Sequence, residues 1–370
     1  MIEGKKIAVL LPYAENFSPQ KAGAISLFTY DMAMYSRYKD AITVYGKSGV
    51  IPYETIAYQG LTPRCRWLLG RNVGLAAAFY QTVNRNPPDV VEIHNRPVVL
   101  LYLKKKLPDV KLMLHFHNDP QTISGSKTAR ERLRILDQAE AVCCVSEFTR
   151  HRFLEGLNCS EYQRNKVRVI YNGIRRLSDT PPLKENMILY AGRLVEEKGV
   201  VELLQAVERV IPSYPAWKFV IAGAGRHGQY EKGKSEYEKK IYRIFDALGS
   251  QGEFLGHQPY SQVMRLYQKA SIVVAPSKWD EPLGRTAIEA LAGGCALISS
   301  DRGGLKEINN GCGISLREVS VDEIATALEA LLNNRERLVD IQATCWESYD
   351  RFRIETIAET LDICRDVIFK

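Results

Sequence analysis

The stretch from Val273 to Ile308, VVAPSKWDEPLGRTAIEALAGGCALISSDRGGLKEI, constrains the fold of this chain more than any other. It begins within a short β-branched run, Ser271-Ile-Val-Val-Ala275, of the kind that forms a strand buried on both faces. Pro276 to Arg285 then collects Pro, Ser, Asp, Gly and charged residues, which predicts a loop ending in a helix start. Thr286 to Gly293 predicts a helix, and Cys295-Ala-Leu-Ile-Ser-Ser300 a second strand. Two carboxylates, Glu281 and Glu289, stand eight residues apart, so a loop carboxylate and a helical one can face one ligand. Between them, Leu283-Gly284-Arg285-Thr286 offers free backbone N–H groups at a helix N-terminus, a ready anion site. Carboxylates for sugar hydroxyls beside amides for phosphate predict a nucleotide-sugar pocket. Taken alone, the pair also fits a helix cap and an exposed helix residue, so the rest of the chain decides.

With 370 residues the chain exceeds one ordinary core and predicts two domains of about 150–200 residues each. At 45% hydrophobic and 25% charged it has a globular composition, and no apolar run approaches the roughly 18 residues of a membrane span. The opening MIEGKKIAVLLPYAENF has a short apolar segment without a small-residue cleavage site, so it reads as a first strand and not a secretion signal. Eight cysteines show neither C-x-x-C nor Cys/His zinc spacing. Cys143, Cys144 and Cys295 fall in strand-like runs as buried small hydrophobes, which fits a reducing cytoplasmic compartment. The formal charge of +7 is uneven: residues 1–178 carry +11 and residues 179–370 carry −4. That asymmetry predicts an anionic partner for the first half, such as a phosphorylated acceptor or the inner membrane surface, with peripheral attachment there. No nucleic-acid-binding motif accompanies the charge, so nucleic acid is not expected as a partner.

In the first half, Lys5–Leu11 predicts a strand, Pro12–Ala24 a loop containing Gly23, and Ile25–Arg37 a helix, an order that lets backbone approach an anion. Ala41–Tyr45 and Thr55–Ala57 read as further strands. In Thr62–Val83, Arg64, Arg66, Trp67, Leu68 and Arg71 precede an apolar helix, which fits either a membrane-surface element or a helix packed on the sheet. Lys127, Arg130, Arg132 and Arg134, in a helical segment, form a second candidate for acceptor or membrane contact. Two strands end in polar clusters, one holding Glu92, His94, Asn95 and Arg96, the other His117 and Asn118. Ligands of open parallel sheets gather at such strand ends. His115 is expected on the opposite side of its strand from His117, in the core.

Ile174–Asn186 is polar, carries two prolines and marks a domain boundary. After the strand Met187–Ala191, the loop Gly192–Gly199 suits a diphosphate: Arg193 can make forked bonds and Lys198 supplies a compact charge. Gly223-Ala-Gly225 with Gly228 is a partial dinucleotide fingerprint without an identifiable acidic partner, so a nicotinamide cofactor is not expected. Glu253–His257 reads as a short strand and turn, and Val321–Lys370 as helical.

Arg193 and Lys198, then Glu281 and Glu289, then Gly293-Gly294 and Gly303-Gly304, resemble the pattern of the retaining glycosyltransferases of family 4, glycosyl transferases group 1. The resemblance spans nearly the whole chain and is densest from Leu189 to Ile308. It implies the GT-B architecture: α/β, with two Rossmann-like doubly wound domains facing across a cleft. Residues 1–175 would bind acceptor and residues 187–345 nucleotide-sugar. Residues 346–370 would form a helix returning to the first domain, anchored by Trp346, Tyr349 and Phe352. The implied reaction moves a sugar with retention from a nucleoside-diphosphate sugar, UDP before GDP, to a hydroxyl of a glycan or lipid-linked acceptor. Bacterial surface polysaccharide or lipopolysaccharide synthesis is the implied setting. By the same resemblance Glu289 would hold the ribose, Glu281 the donor sugar, and the backbone at His257 the base. Arg193, Lys198, Gly23 and the amides of Leu283, Gly284, Arg285 and Thr286 would meet the diphosphate, although this chain has Gly23-Ala24 where the family often has two glycines. His117 would contact donor sugar and acceptor, with Glu92, His94, Asn95, Arg96 and Asn118 on the acceptor side. His117, Glu281, Arg193 and Lys198 are then the catalytic group. No Asp-x-Asp motif is present, and neither a metal nor another cofactor is expected. Two alternatives stay open: a nucleotide-sugar epimerase of the same architecture, tested by transfer to an added acceptor, and a non-catalytic nucleotide-sugar-binding protein.

Overall fold

The computed structural model describes residues 4–64, 66–225 and 236–370, with backbone only at 66; Gly228 lies outside the described residues. The chain divides into two compact units, Met1–Gly173 with Ile354–Lys370, and Ile174–Arg353. Each unit is built on one parallel sheet.

The first sheet comprises β1 (Ile7–Leu10), β2 (Ile42–Lys47), β3 (Ala57–Leu61), β4 (Val90–His94), β5 (Lys111–Phe116), β6 (Ala141–Cys144) and β7 (Val167–Val169). Their order is β3-β2-β1-β4-β5-β6-β7, so the winding reverses between β1 and β4. β1 and β4 are buried at every position, as continuous apolar runs covered on both faces must be. The third strand lies at Ala57–Leu61, further along than the expected Thr55–Ala57. Helix Arg66–Val83 buries Leu75, Ala76, Phe79 and Val83, but Gly70 interrupts it at φ 71°. Trp67 and Leu68, ahead of that break, are 87% and 69% exposed. Arg132 is turned inward and does not belong to a solvent-facing patch. Its guanidinium donates to the carbonyls of Phe153, Ser126, Lys127 and Glu155.

Helix Ile354–Phe369 completes the first unit. It lays Ile354, Ile357, Ala358, Leu361 and Ile368 against Phe28, Met32, Val90 and Met113. Arg365 falls on this same apolar stripe and is fully buried. Its Nε donates to Glu92 Oε1 at 2.6 Å and Nη2 to Glu92 Oε2 at 3.1 Å, while Nη1 reaches Asp362 at 2.8 Å and Ser36 at 3.0 Å. Burial alone would raise the pKa of Glu92, but the guanidinium prevails and holds it below its ordinary value.

The second sheet comprises β8 (Glu185–Ala191), β9 (Lys218–Ala222), β10 (Gly252–Gly256), β11 (Ala270–Ala275), β12 (Ala296–Ser300) and β13 (Ile314–Leu316), in the order β10-β9-β8-β11-β12-β13. Here the winding reverses between β8 and β11, whose residues Ile188 and Val273 pair with Ile272 and Leu189 respectively. Trp346, Tyr349 and Phe352 belong to this unit, whereas Ile354–Lys370 belongs to the first. Arg176 explains why: its guanidinium lies 3.5 Å from the Trp346 ring centre and 4.0 Å from that of Tyr349, and the Tyr349 hydroxyl donates to the Ile174 carbonyl. The segment after Gly173 is therefore stapled to these aromatics inside its own unit.

Removing one partner of a buried ion pair leaves the other charge uncompensated. Arg365→Ala is expected to destabilise the first unit by about 3–5 kcal/mol, seen as a lower urea midpoint in equilibrium unfolding.

Candidate active site

In the second unit the loops leaving β8 and β11 meet at the winding reversal, where open α/β sheets bind ligands. After β8, Tyr190 fixes the turn by donating its hydroxyl to the Arg193 carbonyl at 2.7 Å. Arg193 is half-exposed, with Nη2 3.7 Å from Glu197. A 3-10 turn, Glu196–Lys198, ends at Gly199 with φ 65°. A Cβ on Gly199 would lie 2.1 Å from the Pro276 carbonyl oxygen, so only glycine lets the β8 loop press against the β11 loop. The two loops are then joined by Lys278 N–H to Glu197 O (2.8 Å), by Ser277 Oγ to Glu197 O (3.2 Å) and by an ion pair between Lys198 Nζ and Glu281 Oε1. Ser277 Oγ also donates to Glu281 Oε1 at 2.8 Å. Gly303, at φ 52°, sits where a Cβ would be 2.3 Å from the Glu281 carbonyl oxygen, and Gly304 N–H donates to that oxygen at 2.7 Å. The glycine pair thus holds the Glu281 backbone in place.

Gly284, at φ 92°, turns the chain into helix Arg285–Gly293. Glu289 lies within that helix, nearly buried, and accepts from Arg285 Nε at 2.9 Å; Arg285 Nη2 in turn donates to the Tyr260 hydroxyl at 2.9 Å. Burial raises the Glu289 pKa, and Arg285 opposes that shift. A cavity of about 380 Å³ is lined by Gly192, Arg193, Gly223, His257, Thr286 and Glu289. A smaller one of about 20 Å³ is lined by Lys198, Ser277, Glu281, Thr286 and Leu305. Thr286 and Gly192 border both. Glu281 and Glu289 therefore do not converge on one point; each faces its own compartment, with the helix start between them.

In the first unit the polar strand ends are organised around Asn95, whose φ of 52° is left-handed. Its N–H donates to His115 O at 2.7 Å, its Oδ1 accepts from His117 N–H at 2.8 Å, and Arg96 donates to its carbonyl at 2.8 Å. His117 is partly exposed and Asn118 exposed. Three further expectations are corrected here. Glu92 and His94 do not face an acceptor, being 2% and 1% exposed. His115 does not oppose His117: residues two apart on a strand share a face, and their near-parallel rings lie 6.4 Å apart. Gly23 does not present a free anion site, because Glu15 Oε2 accepts from Ser26 N (3.3 Å) and Oγ (3.0 Å) at that helix start. Ring nitrogens of His94 and His115 lie within 4.8 Å of a Glu92 oxygen, close enough to suggest a metal cluster. Both Glu92 oxygens, however, already accept from the Arg365 guanidinium.

Residues 41–176 match the description Glycosyltransferase Family 4, and residues 176–344 match Glycosyl transferases group 1. The chain belongs to glycosyltransferase family 4. This glycosyltransferase is 25% identical over 362 residues to the lipopolysaccharide 1,2-N-acetylglucosaminetransferase of Salmonella typhimurium, covering 90% of this chain and 91% of that one. Its fold is the GT-B fold, shared with Anabaena Alr3699/HepE in complex with UDP at TM-score 0.77 and 20% identity, covering 98% and 100% of the two chains. The apo lipopolysaccharide outer core galactosyltransferase WaaB matches at TM-score 0.72 and 16% identity, covering 98% and 99%.

Several residues that shape the transferase's site escaped sequence reasoning. Ser277 and Tyr260 are ordinary loop and helix-start residues whose partners are set only by tertiary contact. Arg365 did carry a signal: Leu361, Arg365 and Ile368 share helical spacing with the apolar stripe, which marks the charge as buried.

Burial pushes His117 down to about 3 and His115 down to about 4, and lowers His94 well below its ordinary value, so the folded chain keeps these rings neutral. Below a pH of about 6.5 the unfolded chain binds protons that the folded one refuses, so stability falls on acidification. Glu92, with its depressed pKa, adds a further loss as pH falls through that value. Urea unfolding of the enzyme between pH 7.5 and 5 should show the first unit weakening steadily, and His115→Phe should flatten that slope.

Proposed function

We propose that this glycosyltransferase takes its sugar from a UDP-sugar and transfers it, with retention and without a metal, to a hydroxyl of a glycan or lipid-linked acceptor. Bacterial surface polysaccharide or lipopolysaccharide synthesis, on the cytoplasmic side of the membrane, is the proposed setting. The observation that carries this reading is the pairing of Lys198 with Glu281 beside the start of helix Arg285–Gly293, next to the cavity that Glu289 lines. Two structures of Anabaena Alr3699/HepE, in complex with UDP and with UDP-glucose, support the choice of nucleotide, and the Salmonella relative's name supports the acceptor class.

In this reading the nucleoside fills the larger compartment, with the ribose hydroxyls on Glu289 and the base near the backbone of His257. The diphosphate lies across Gly192, Arg193 and Thr286, and a sugar hydroxyl points toward Glu281, whose own compartment of about 20 Å³ does not hold the sugar itself. As the sugar–oxygen bond breaks, negative charge develops on the diphosphate. Arg193, Lys198 and the amides at Gly284–Thr286 meet that charge, which is where an enzyme gains most in transition-state stabilisation. Glu281 accepts from Lys198 in the structure. A donor hydroxyl binding to Glu281 would turn the ammonium toward phosphate. The acceptor hydroxyl attacks the face from which the diphosphate leaves and passes its proton to a departing phosphate oxygen. In the first unit, Asn95, Arg96, His117 and Asn118 are the proposed acceptor-side residues. The exposed Trp67 and Leu68, flanked by Arg64 and Arg71, would touch an anionic membrane surface.

A thermal-shift panel of UDP-, GDP- and ADP-sugars on wild type and Glu289→Ala tests this. A ligand of the folded state alone adds about 2.7 kcal/mol at a hundredfold excess over its dissociation constant. A shift with UDP-sugars, lost in Glu289→Ala and accompanied by transfer to an added glycan, is expected. Melting curves unmoved by every donor at saturation would overturn the assignment.

A further inference from the structure

The first unit holds a groove that neither the donor chemistry nor the polar strand ends use. Its volume is about 770 Å³, twice that of the cavity lined by Glu289, and within the roughly 300–1,000 Å³ of sites that take small organic ligands. It lies between the edge strand β7 and helix Ile354–Phe369, and every residue lining it belongs to the first unit. One wall is apolar: Ile363 and Val367, one helical turn apart and outside the buried stripe of that helix, are 54% and 59% exposed. Val169 and Ile170, at the end of β7, line the groove with them. Lys111, the first residue of β5, donates to the Ile368 carbonyl, while Gly173, past the end of β7, abuts Ile354. The helix therefore runs against the strands, and the groove has two different ends. Lys111, Lys166 and Lys370 gather at the amino ends of the strands, against Glu140 alone. At the other end the one carboxylate, Glu147, is paired with Arg150 at 3.2 Å.

We propose that this groove binds an anionic amphiphile, an aliphatic chain ending in a phosphate, with the phosphate at Lys111 and Lys166 and the chain along Ile363, Val367 and Ile170. The two ammoniums are held in place by backbone and not by carboxylates. Lys111 spends one N–H on Ile368 O; Lys166 spends two, on Leu136 O at 3.2 Å and Ala139 O at 3.0 Å, and stands 5.3 Å from the Tyr162 ring centre. An ammonium has three donors, so each keeps at least one for a ligand. Arg168, exposed on β7, adds a further cation to the lining. Lys111, Lys166 and Arg168 are among the cations that give residues 1–178 their charge of +11. Charge and apolar surface together select the occupant. A small anion would leave Ile363 and Val367 in water, and an uncharged chain would leave the ammoniums unanswered; a molecule with both parts satisfies both ends. None of these residues belongs to the proposed donor or acceptor sites, so the inference goes beyond that reading and does not rest on it.

The chain carries its own reporter: Cys364, partly exposed, lines the groove, while Cys159, also partly exposed, does not and serves as internal control. Dodecyl phosphate below its micelle concentration is titrated calorimetrically into the whole chain, with an uncharged dodecyl ether and inorganic phosphate as probes of chain and head alone. Alkylation of Cys364 and Cys159 in the same mixtures is followed by mass spectrometry. One dodecyl phosphate per chain should bind and protect Cys364 but not Cys159, and each half-probe should bind at least roughly tenfold more weakly. Lys166→Gln should weaken dodecyl phosphate by roughly tenfold or more. Val367→Glu, which sets a carboxylate in the path of the chain, should abolish saturation. Ile363→Glu repeats that test at a second exposed position should Val367→Glu fail to fold, with melting temperature as the control. Equal affinity for the uncharged ether would overturn the anionic head. Saturable binding that leaves Cys364 unprotected and ignores both glutamate variants would place the amphiphile elsewhere, at Trp67 and Leu68 for example, and overturn the site. Binding to phosphatidylglycerol vesicles without binding of the monomer would assign the groove to a membrane surface and overturn it equally.

Discussion

The candidate site of the second unit depends on one topological constraint: β8 and β11 lie side by side while the chain winds away from them in opposite directions. The connections leaving the carboxyl ends of these two strands run to opposite sides of the sheet, so the loops after them are free to meet. They meet closely because Gly199 has no Cβ to strike the Pro276 carbonyl. Lys198 and Glu281, eighty-three positions apart in the chain, then become partners. The same junction brings the start of helix Arg285–Gly293 to the groove, where Thr286 borders both compartments. Fold and chemistry are thus linked at a few atoms: a missing methyl group, an ammonium, a carboxylate and a helix end.

The first unit solves a different problem. It buries Glu92, His94, His115, Asp362 and Arg365 together, with His117 partly buried beside them. Charges so placed are tolerable only when paired, and Arg365 supplies the pairing from the far end of the chain. The last helix is therefore more than a cover for apolar surface. Its Asp362 and Arg365 bind Ser36 and Glu92, tying the sequence's end to the strand that ends in the polar cluster. The imidazoles stay neutral because burial disfavours their charged forms, and at His115 the Glu92 carboxylate opposes that shift without reversing it, which suits hydrogen bonding more than proton transfer.

The second unit was the more legible in sequence. Its strands are short β-branched runs, and its loops are marked by glycines whose positive φ or close approach leaves no alternative residue, as at Gly199, Gly284 and Gly303. Arg193, Lys198, Glu281 and Glu289 could be named from residue type and order, and the structure brings them to adjacent compartments of one groove. Composition could not tell that Lys198 and Glu281 bind each other, since that pairing exists only once β8 and β11 are neighbours. The first unit was harder to read. Glu92 and His94 look like polar strand-end residues in a linear reading, yet Glu92 is paired with Arg365 from a helix more than 270 positions later, and His94 with His117 at the end of the next strand. Gly23 looks like a phosphate loop, and it was a glutamate eleven residues before Ser26 that took the anion's place. His115 was misplaced by a simple error of strand period, since positions two apart share a face.

The central claim is that Lys198 faces a diphosphate in the groove of the second unit. Calorimetric titration of wild type and Lys198→Ala with UDP and with uridine tests it most directly. A hydrogen bond to a charged group contributes about 1.5–3 kcal/mol, which corresponds to roughly a tenfold to hundredfold change in affinity. UDP should weaken by that factor in Lys198→Ala while uridine, lacking phosphate, binds as before. Equal weakening of both ligands, or of neither, would contradict the account.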